Sequence, residues 1–330
     1  REREAMKAIR CLEYGPPEDL VLADVPDPEP GPGELLVRVS AAAVNFPDML
    51  FLSGGYQVQV PPPFTPGSEF AGEVAAVGAG VTDHQPGDRV SGSVLVGAFA
   101  EYIVVDARAV TRIPDGIGAD VAAAFGVTYR TAYFALRSVA EVGPGDTVVV
   151  LGAAGGVGLA AVDLAVTMGA RVIAAASSPE KLALCAQRGA HTVIDYERQN
   201  LRDEIKAATA GRGADAVLDP VGGRYAEPAL RALARGGVFV TLGYASGQIP
   251  SIPLNLVLLK GVTVRGMEIR TFFTDYPDAA VRDIGELHAL FAAGRVSPHI
   301  GARFPLAEAG AAIRFVAERG ALGKVLVEMH

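Results

Sequence analysis

The chain has 330 residues, half of them apolar and 20% charged, with a formal net charge of −8 at neutral pH. This is the composition of a water-soluble globular protein long enough for two domains, and the acidic balance without basic clusters excludes nucleic acid as an expected partner. No uncharged apolar run reaches about 18 residues and only Cys11 and Cys185 are present, so we expect no membrane span, no disulfide framework and a cytoplasmic location.

The first third of the chain predicts short strands and turns. Segments 34–44 (ELLVRVSAAAV) and 69–78 (EFAGEVAAVG) are typical of strands, whereas proline and glycine mark turns at 26–34 and 84–90. The same rhythm continues to about residue 118. We therefore predict a mostly β domain with little helix.

A glycine-rich turn follows at 148–165 (VVVLGAAGGVGLAAVDLA). A buried strand leads into four glycines, and apolar residues at helical spacing come next. This order is typical of a dinucleotide-binding unit, in which backbone N–H groups at a helix start approach a pyrophosphate. Alanine takes the first glycine position (Ala153-x-Gly155-x-x-Gly158), and such turns also serve merely to pack a helix on a strand, so the surroundings decide.

The surroundings favour the dinucleotide-binding interpretation, because strands and helices alternate from about residue 128. The strands are predicted at 147–152, 171–177, 191–196, 214–220, 238–243 and 262–267, and the helices at 159–169, 179–189, 200–210, 225–237 and 253–261. Five crossovers between six strands predict an α/β fold with a doubly wound, six-stranded parallel sheet, and the glycine turn follows its first strand.

The tail beyond residue 270 does not extend this alternation. It predicts an amphipathic helix at 278–294 and a closing strand at 323–329. We therefore assign residues 1–127 with 268–330 to the β-rich domain and residues 128–267 to the dinucleotide-binding domain.

The order of these parts resembles the medium-chain dehydrogenase/reductase superfamily. The stretches AAAVNFPDMLFLSGGY (41–56), PFTPGSEFAGEV (63–74) and LGAAGGVGLAAVDLA (151–165) resemble its zinc-independent quinone oxidoreductase branch. The resemblance spans nearly the whole chain. It implies a GroES-like catalytic domain beside a Rossmann domain, and hydride chemistry with a nicotinamide cofactor.

The resemblance also indicates that no metal is bound. Zinc-dependent members carry a cysteine and a histidine where this sequence has Asn45 and Ser68, so only Glu69 and Asp48 remain as ligands. Two cysteines are too few for the structural zinc site, and the histidines are far apart in sequence. A site without a Lewis acid favours acceptors whose developing negative charge is delocalised, such as quinones and activated enones, over simple alcohols.

The end of the second predicted strand indicates the cofactor. Where an NAD-preferring unit has an acid, this strand ends in Ala176, Ser177 and Ser178, with Lys181 one helical turn later. Lys181 fits either a contact to a 2′-phosphate or a solvated helix position. The resemblance adds Tyr196 and Arg319 as contacts to that phosphate, so the expected cofactor is NADPH.

The remaining site residues are implied by the resemblance. The backbone of Gly155, Gly156, Val157 and Gly158 would hold the pyrophosphate, Gly243 would line the path from ribose to pyrophosphate, Asn45 and Thr128 would contact the nicotinamide–ribose end, and Tyr56 would donate to, or stack on, the substrate. Tyr56 and Asn45 are therefore the candidate catalytic residues. Tyr56 is also compatible with simple packing beside VPPPF (60–64).

We interpret the sequence as an NADPH-dependent oxidoreductase that transfers hydride to quinones without a metal. The alternatives are a reductase of conjugated C=C bonds in enones, enals or enoyl thioesters, and a non-catalytic NADPH-binding protein. Segment 261–269 (GVTVRGMEI) predicts an exposed last strand of the sheet, which favours a homodimer.

Overall fold

The computed structural model describes residues 5–329. Within this range the chain forms two compact units, one of residues 5–127 with 298–329 and the other of residues 128–297. Each unit has its own buried apolar core. Among these residues, no helix is long and apolar enough to cross a membrane.

The described residues form fifteen strands and eleven α-helices. The strands are β1 (Ala5–Arg10), β2 (Val21–Pro26), β3 (Glu34–Val44), β4 (Glu69–Val77), β5 (Arg89–Ser93), β6 (Tyr102–Asp106), β7 (Val110–Arg112), β8 (Thr147–Leu151), β9 (Arg171–Ala176), β10 (Thr192–Asp195), β11 (Ala214–Asp219), β12 (Leu233–Thr241), β13 (Thr263–Gly266), β14 (Ile300–Pro305) and β15 (Lys324–Glu328). The helices are α1 (Phe46–Leu52), α2 (Ala119–Ala123), α3 (Gly126–Phe134), α4 (Gly156–Thr167), α5 (Pro179–Gln187), α6 (Leu201–Ala208), α7 (Ala226–Arg231), α8 (Leu254–Lys260), α9 (Ile269–Asp275), α10 (Pro277–Ala292) and α11 (Ala309–Ala317).

The first unit is built on a seven-stranded sheet in the order β14-β15-β3-β4-β5-β7, with β6 also paired to β3. Its pairs are antiparallel except β14 with β15. The register brings Val44 opposite Val325 and Ala43 opposite Glu69. The last residues of β3 therefore lie beside the first residues of β4 and β15, at one end of these three neighbouring strands.

The second unit contains a six-stranded sheet in the order β10-β9-β8-β11-β12-β13, and every neighbouring pair is parallel. Helices α4 to α8 connect the strands. β8 is buried along its whole length, as expected for an apolar strand in the middle of a parallel sheet. The predicted doubly wound sheet is confirmed.

One helix predicted for this unit is wrong in its extent. The helix predicted over 225–237 ends at Arg231, and β12 already begins at Leu233. Leu233 is fully buried and pairs with Ala214, and the register of the ladder shifts between this pair and the next. Burial and strand pairing thus override a local helical pattern here.

The compact units also differ from the predicted domains over residues 268–297. These residues were assigned by sequence to the β-rich domain, but they group with the second unit, and the chain returns to the first unit only at 298. Packing explains the difference. Phe272 of α9 stacks on Phe134 of α3 with ring centroids 4.4 Å apart, and Asp283 of α10 accepts a hydrogen bond from Ser138 (2.5 Å).

Candidate functional site

The glycine turn lies between β8 and α4, as the sequence predicts. Gly155 is the residue before α4, so the N–H groups of Gly156, Val157 and Gly158 are in the first turn and have no acceptor within the helix. A Cβ on Gly158 would lie 2.1 Å from the carbonyl oxygen of Gly152, so only glycine fits this position. The half-buried turn offers backbone donors at the positive end of a helix, which fits a pyrophosphate.

A cationic group lies at the end of the neighbouring strand. β9 is paired with β8, with Ala175 opposite Leu151, and Ser177 follows directly after β9. The Lys181 ammonium donates to the Ser177 hydroxyl (3.1 Å), and Ser178 accepts from the Lys181 N–H at the start of α5. Two hydroxyls and one ammonium therefore stand where an NAD-binding strand would end in an acid.

Tyr196 lies beside this group, because β10 is paired with β9 and the Tyr196 N–H donates to the Ala176 carbonyl (3.2 Å). Its ring is buried and stacks on Tyr225, with centroids 4.0 Å apart. The structure thus brings Ser177, Lys181 and Tyr196 together at adjacent strand ends.

Among the described residues of the second unit, three buried side-chain polar atoms have no hydrogen-bond partner, and Nε2 of His288 in α10 is the third of them. The Thr128 hydroxyl in α3 is one, although only 3% of this residue is exposed. The second is Oδ2 of Asp219, whose other carboxylate oxygen accepts from the N–H groups of Val221 and Gly222 (both 2.8 Å). Burial raises the pKa of Asp219. An unpartnered buried hydroxyl at Thr128 fits a ligand that supplies the missing bond.

The sequence analysis did not identify Asp219 as the residue that holds the loop after β11. By accepting two N–H groups it fixes the loop after β11, and its carbonyl accepts from the Leu242 N–H (2.9 Å). Gly243, predicted to line the cofactor path, follows Leu242 in the loop after β12 and is half-buried.

A groove of about 600 Å³ opens elsewhere in the second unit and contains none of the predicted site residues. Its lining residues are Asn200, Arg202, Gly223, Arg224, Glu227, Pro228, Arg231, Gln248, Ile249, Pro250 and Ser251. Two of its arginines already pair with carboxylates, Arg224 with Glu197 and Arg231 with Glu227.

The first unit carries a buried polar cluster where β3, β4 and β15 meet. Asn45 follows β3, and its side-chain NH₂ donates to Glu69 Oε2 (3.1 Å) and lies 3.5 Å from the Ser68 hydroxyl. The Lys324 ammonium donates to Asn45 Oδ1 (2.7 Å) and lies 3.3 Å from Glu69 Oε2. The other carboxylate oxygen of Glu69 accepts from the Val127 N–H (2.7 Å).

Lys324 was missed by the sequence analysis, although a signal was present. It is the one charged residue at the start of an otherwise apolar strand segment, KVLV (324–327), and only 3% of it is exposed. A lysine at such a depth needs an anionic partner, because burying an unpaired ammonium is costly. Glu69 is that partner.

Asp48 borders this cluster and is fully buried. Its Oδ2 accepts from the Asn45 backbone N–H (2.7 Å), whereas its Oδ1 has no hydrogen-bond partner. Burial raises the pKa of Asp48 to about 7. The carboxyl group can therefore hold a proton near neutral pH.

The donor set of this cluster does not fit a zinc ion. Zinc is held by thiolates, imidazoles and carboxylates, whereas the cluster offers an amide from Asn45 and a hydroxyl from Ser68, and its Glu69 carboxylate already faces an ammonium. Across residues 5–329 no three histidine, cysteine, aspartate or glutamate side chains gather in a way that could hold a metal.

Tyr56 and Arg319 also belong to the first unit. The half-buried Tyr56 ring packs on Phe51, with centroids 4.5 Å apart. Arg319 is exposed and follows α11 with a φ of +59°, a conformation that usually selects glycine at a helix end. Thus Asn45, Tyr56 and Arg319 lie in the first unit, and the other predicted site residues lie in the second.

Two family models match the chain. One is described as an alcohol dehydrogenase GroES-like domain and matches residues 31–115, and the other is described as a zinc-binding dehydrogenase and matches residues 156–284. The first match confirms the predicted GroES-like character of the β-rich part.

Relatives resemble the chain along nearly its full length. A protein of Mus musculus named quinone oxidoreductase-like protein 2 is 38% identical over 326 residues, which is 98% of this chain and 92% of the mouse protein. A mycobacterial protein solved with NADPH has 35% identity and a TM-score of 0.89, and the match covers 98% of this chain and 99% of that one. Quinone oxidoreductase of Escherichia coli, also solved with NADPH, has 29% identity and a TM-score of 0.90 over the same shares of the two chains.

These matches confirm the resemblance read from the motifs. The chain belongs to the quinone oxidoreductase-like branch of the medium-chain dehydrogenase/reductase superfamily, a superfamily of oxidoreductases.

Proposed function

We propose that the protein is an NADPH-dependent oxidoreductase that reduces quinones without a metal. The observation that carries this proposal is the juxtaposition of the glycine turn before α4 with the Ser177–Lys181 group at the end of β9. The turn supplies neutral backbone donors for a pyrophosphate, and the hydroxyls and ammonium supply donors for one further phosphate. The complexes of two relatives with NADPH support the same cofactor.

Several residues would hold NADPH. The backbone of Gly155, Gly156, Val157 and Gly158 would bind the pyrophosphate, and Ser177 and Lys181, with Tyr196 and Arg319, would surround the 2′-phosphate. Gly243 would leave room beside the ribose, and the unpartnered Thr128 hydroxyl would bond to the nicotinamide end. When bound, NADPH supplies the hydride.

The protein's own contribution would be orientation and hydrogen bonding. Asn45 would contact the nicotinamide end, and the Tyr56 hydroxyl would donate to the acceptor oxygen as negative charge develops there. A reduced quinone spreads this charge over a ring, so ordinary donors suffice. An alkoxide would need a Lewis acid, for which the cluster around Asn45 has unsuitable ligands.

The proposal is tested by following NADPH absorbance with a panel of quinones and enones. We expect turnover with quinones, slower turnover with NADH, no stoichiometric zinc by elemental analysis, and activity that survives chelators. Turnover with enones alone would assign the protein to the C=C reductases. Cofactor binding without turnover on any acceptor would leave a non-catalytic NADPH-binding protein, and one bound zinc per chain would overturn the metal-free site.

We also propose that two copies associate through β13. This strand is the last in the sheet order, and Val264 within it is exposed. On the preceding helix α8, Leu254 and Leu258 are 80% and 79% exposed, and neighbouring exposed apolar side chains are typical of an association surface. Antiparallel pairing of two β13 edges would continue the sheet and cover these leucines.

Sedimentation at micromolar concentration tests this association. We expect a dimer that Leu258→Asp converts to a monomer, because a charge on the buried face opposes pairing. Leu12→Asp is the control, since Leu12 is 55% exposed but lies in the first unit. A monomeric unaltered protein would contradict the proposal.

A further inference from the structure

The buried cluster around Asn45 fixes the direction of an amide side chain. The Asn45 carbonyl oxygen faces the Lys324 ammonium at 2.7 Å, and its NH₂ group faces the Glu69 carboxylate at 3.1 Å. Rotating the amide by 180° would bring NH₂ against the ammonium and carbonyl against the carboxylate. Both contacts would be repulsive, so the charge pair allows one orientation only.

The same pair also changes the strength of the amide as a donor. An ammonium that donates to the carbonyl oxygen draws electron density from the amide nitrogen, and chains of hydrogen bonds polarise one another in a dry interior. One N–H of the Asn45 amide is directed at Glu69. The other has only the Ser68 hydroxyl at 3.5 Å, the long limit of a hydrogen bond. That N–H is available to a better acceptor.

Stability alone does not explain why the pair is buried. Lys324 and Glu69 are 3% and 1% exposed, and removing two such charges from water costs about as much free energy as their attraction returns. Glu69 also holds the Val127 N–H with its second oxygen (2.7 Å), and Thr128 is the next residue in the chain. One carboxylate therefore anchors Asn45 and the backbone just before Thr128, the two residues expected at the nicotinamide end.

We propose that Lys324 and Glu69 are positioning residues that orient and polarise the Asn45 amide. The kinetic part of this inference rests on the proposed function. The acceptor of the available Asn45 N–H is an oxygen atom, either of the cofactor's ribose or of the substrate. An effect on NADPH affinity would identify the first, and an effect on kcat the second.

The kinetic test separates positioning from packing with a neutral pair. Lys324→Met leaves Glu69 as an unpaired buried charge, so we expect a lower melting temperature together with a loss in kcat or in NADPH affinity of about 10- to 100-fold. Lys324→Met combined with Glu69→Gln removes both charges, so we expect the melting temperature to recover while the functional loss remains. Lys324→Arg keeps a cation, so it should restore part of the function. Recovery of function together with stability in the double variant would overturn the proposal.

A second readout needs neither cofactor nor turnover. In ¹H–¹⁵N spectra, the Asn45 side-chain NH₂ resonances are assigned by their disappearance in Asn45→Ala, and we expect Lys324→Met to shift them. Unchanged resonances would overturn the proposed polarisation. If none of the tested acceptors supports NADPH oxidation by the unaltered protein, the proposed function fails. These spectra still decide whether Lys324 orients Asn45.

Discussion

The two candidate sites differ in how the chain constructs them. The glycine turn and the Ser177–Lys181 group lie within about thirty consecutive residues, and the donors of the turn are backbone groups at a half-exposed helix start. The cluster around Asn45 is made of buried side chains, and its Lys324–Asn45 contact joins residues 279 positions apart. The first site is a local structure reachable by solvent, whereas the second exists only when three strands have paired. The predictions below separate these two kinds of site.

The largest effect is expected at Gly158. A Cβ there would lie 2.1 Å from the Gly152 carbonyl oxygen, so Gly158→Ala forces the backbone apart and should lower the free energy of unfolding by about 3 kcal/mol or more. Urea unfolding without cofactor measures this. Loss of NADPH binding should accompany it.

Gly155→Ala is the matched control for Gly158→Ala. Its Cβ would lie 3.4 Å from the same oxygen, an ordinary contact, so the unfolding free energy should change by less than about 1 kcal/mol. The added methyl group would nevertheless obstruct a pyrophosphate, and we expect the NADPH dissociation constant to rise at least about tenfold. Equal stability losses in the two variants would contradict the assignment of separate roles to the two glycines.

Asp48 should give the buried cluster a pH dependence that the glycine turn lacks. Burial raises its folded pKa from 3.8 to about 7, so the folded state keeps a proton that the unfolded chain has lost. Its contribution to stability is therefore complete below pH 4 and is lost as the pH rises toward 7. Lys324 and Glu69 are the charged groups that act on Asp48, in opposite directions.

Asp48→Asn removes this titration. The fall in unfolding free energy between pH 5 and pH 8 should be smaller in Asp48→Asn than in the unaltered protein by about 2–3 kcal/mol. Asp24→Asn is the control, because Asp24 is an exposed partner of Lys7. The same pH profile in all three proteins would mean that Asp48 stays ionised in the fold.

At the local site, Lys181→Ala tests whether the Lys181 ammonium selects NADPH over NADH. Losing one ammonium contact to a phosphate should cost about 1.5–3 kcal/mol, so Lys181→Ala should raise the NADPH dissociation constant roughly 10- to 150-fold. The NADH constant should not change, because NADH lacks the 2′-phosphate. Lys206→Ala in α6 is the control for general loss of positive charge. Equal affinities of the unaltered protein for both cofactors would exclude the assigned role of Lys181.

The extent of sequence-based prediction follows the same division between local and long-range structure. The glycine turn, the missing acid after β9 and the six parallel strands were predicted, because each depends on neighbouring residues or on a repeated strand–helix rhythm. Lys324 and its contact to Asn45 were not predicted, since nothing near residue 45 indicates that β15 will pair with β3. The helix predicted over 225–237 was wrong for a related reason. The residues around Leu233 have a helical pattern, but strand pairing with Ala214 and full burial decide the conformation of Leu233.

The smallest effect is expected at Tyr56, which sharpens the comparison within the first unit. Its ring packs on Phe51, and packing is kept in Tyr56→Phe, so only the hydroxyl is removed. If the hydroxyl donates to the acceptor oxygen in the transition state, turnover should fall about 2- to 13-fold, the equivalent of one neutral hydrogen bond, while NADPH affinity stays unchanged. The loss should be larger for an enone than for a quinone, because an enolate oxygen is more basic and gains more from a donor.

Tyr14→Phe is the control, since the Tyr14 hydroxyl donates to the Val60 carbonyl (3.0 Å). Equal turnover of Tyr56→Phe and the unaltered protein on both classes of acceptor would make Tyr56 a packing residue and leave Asn45 as the candidate donor to the acceptor oxygen.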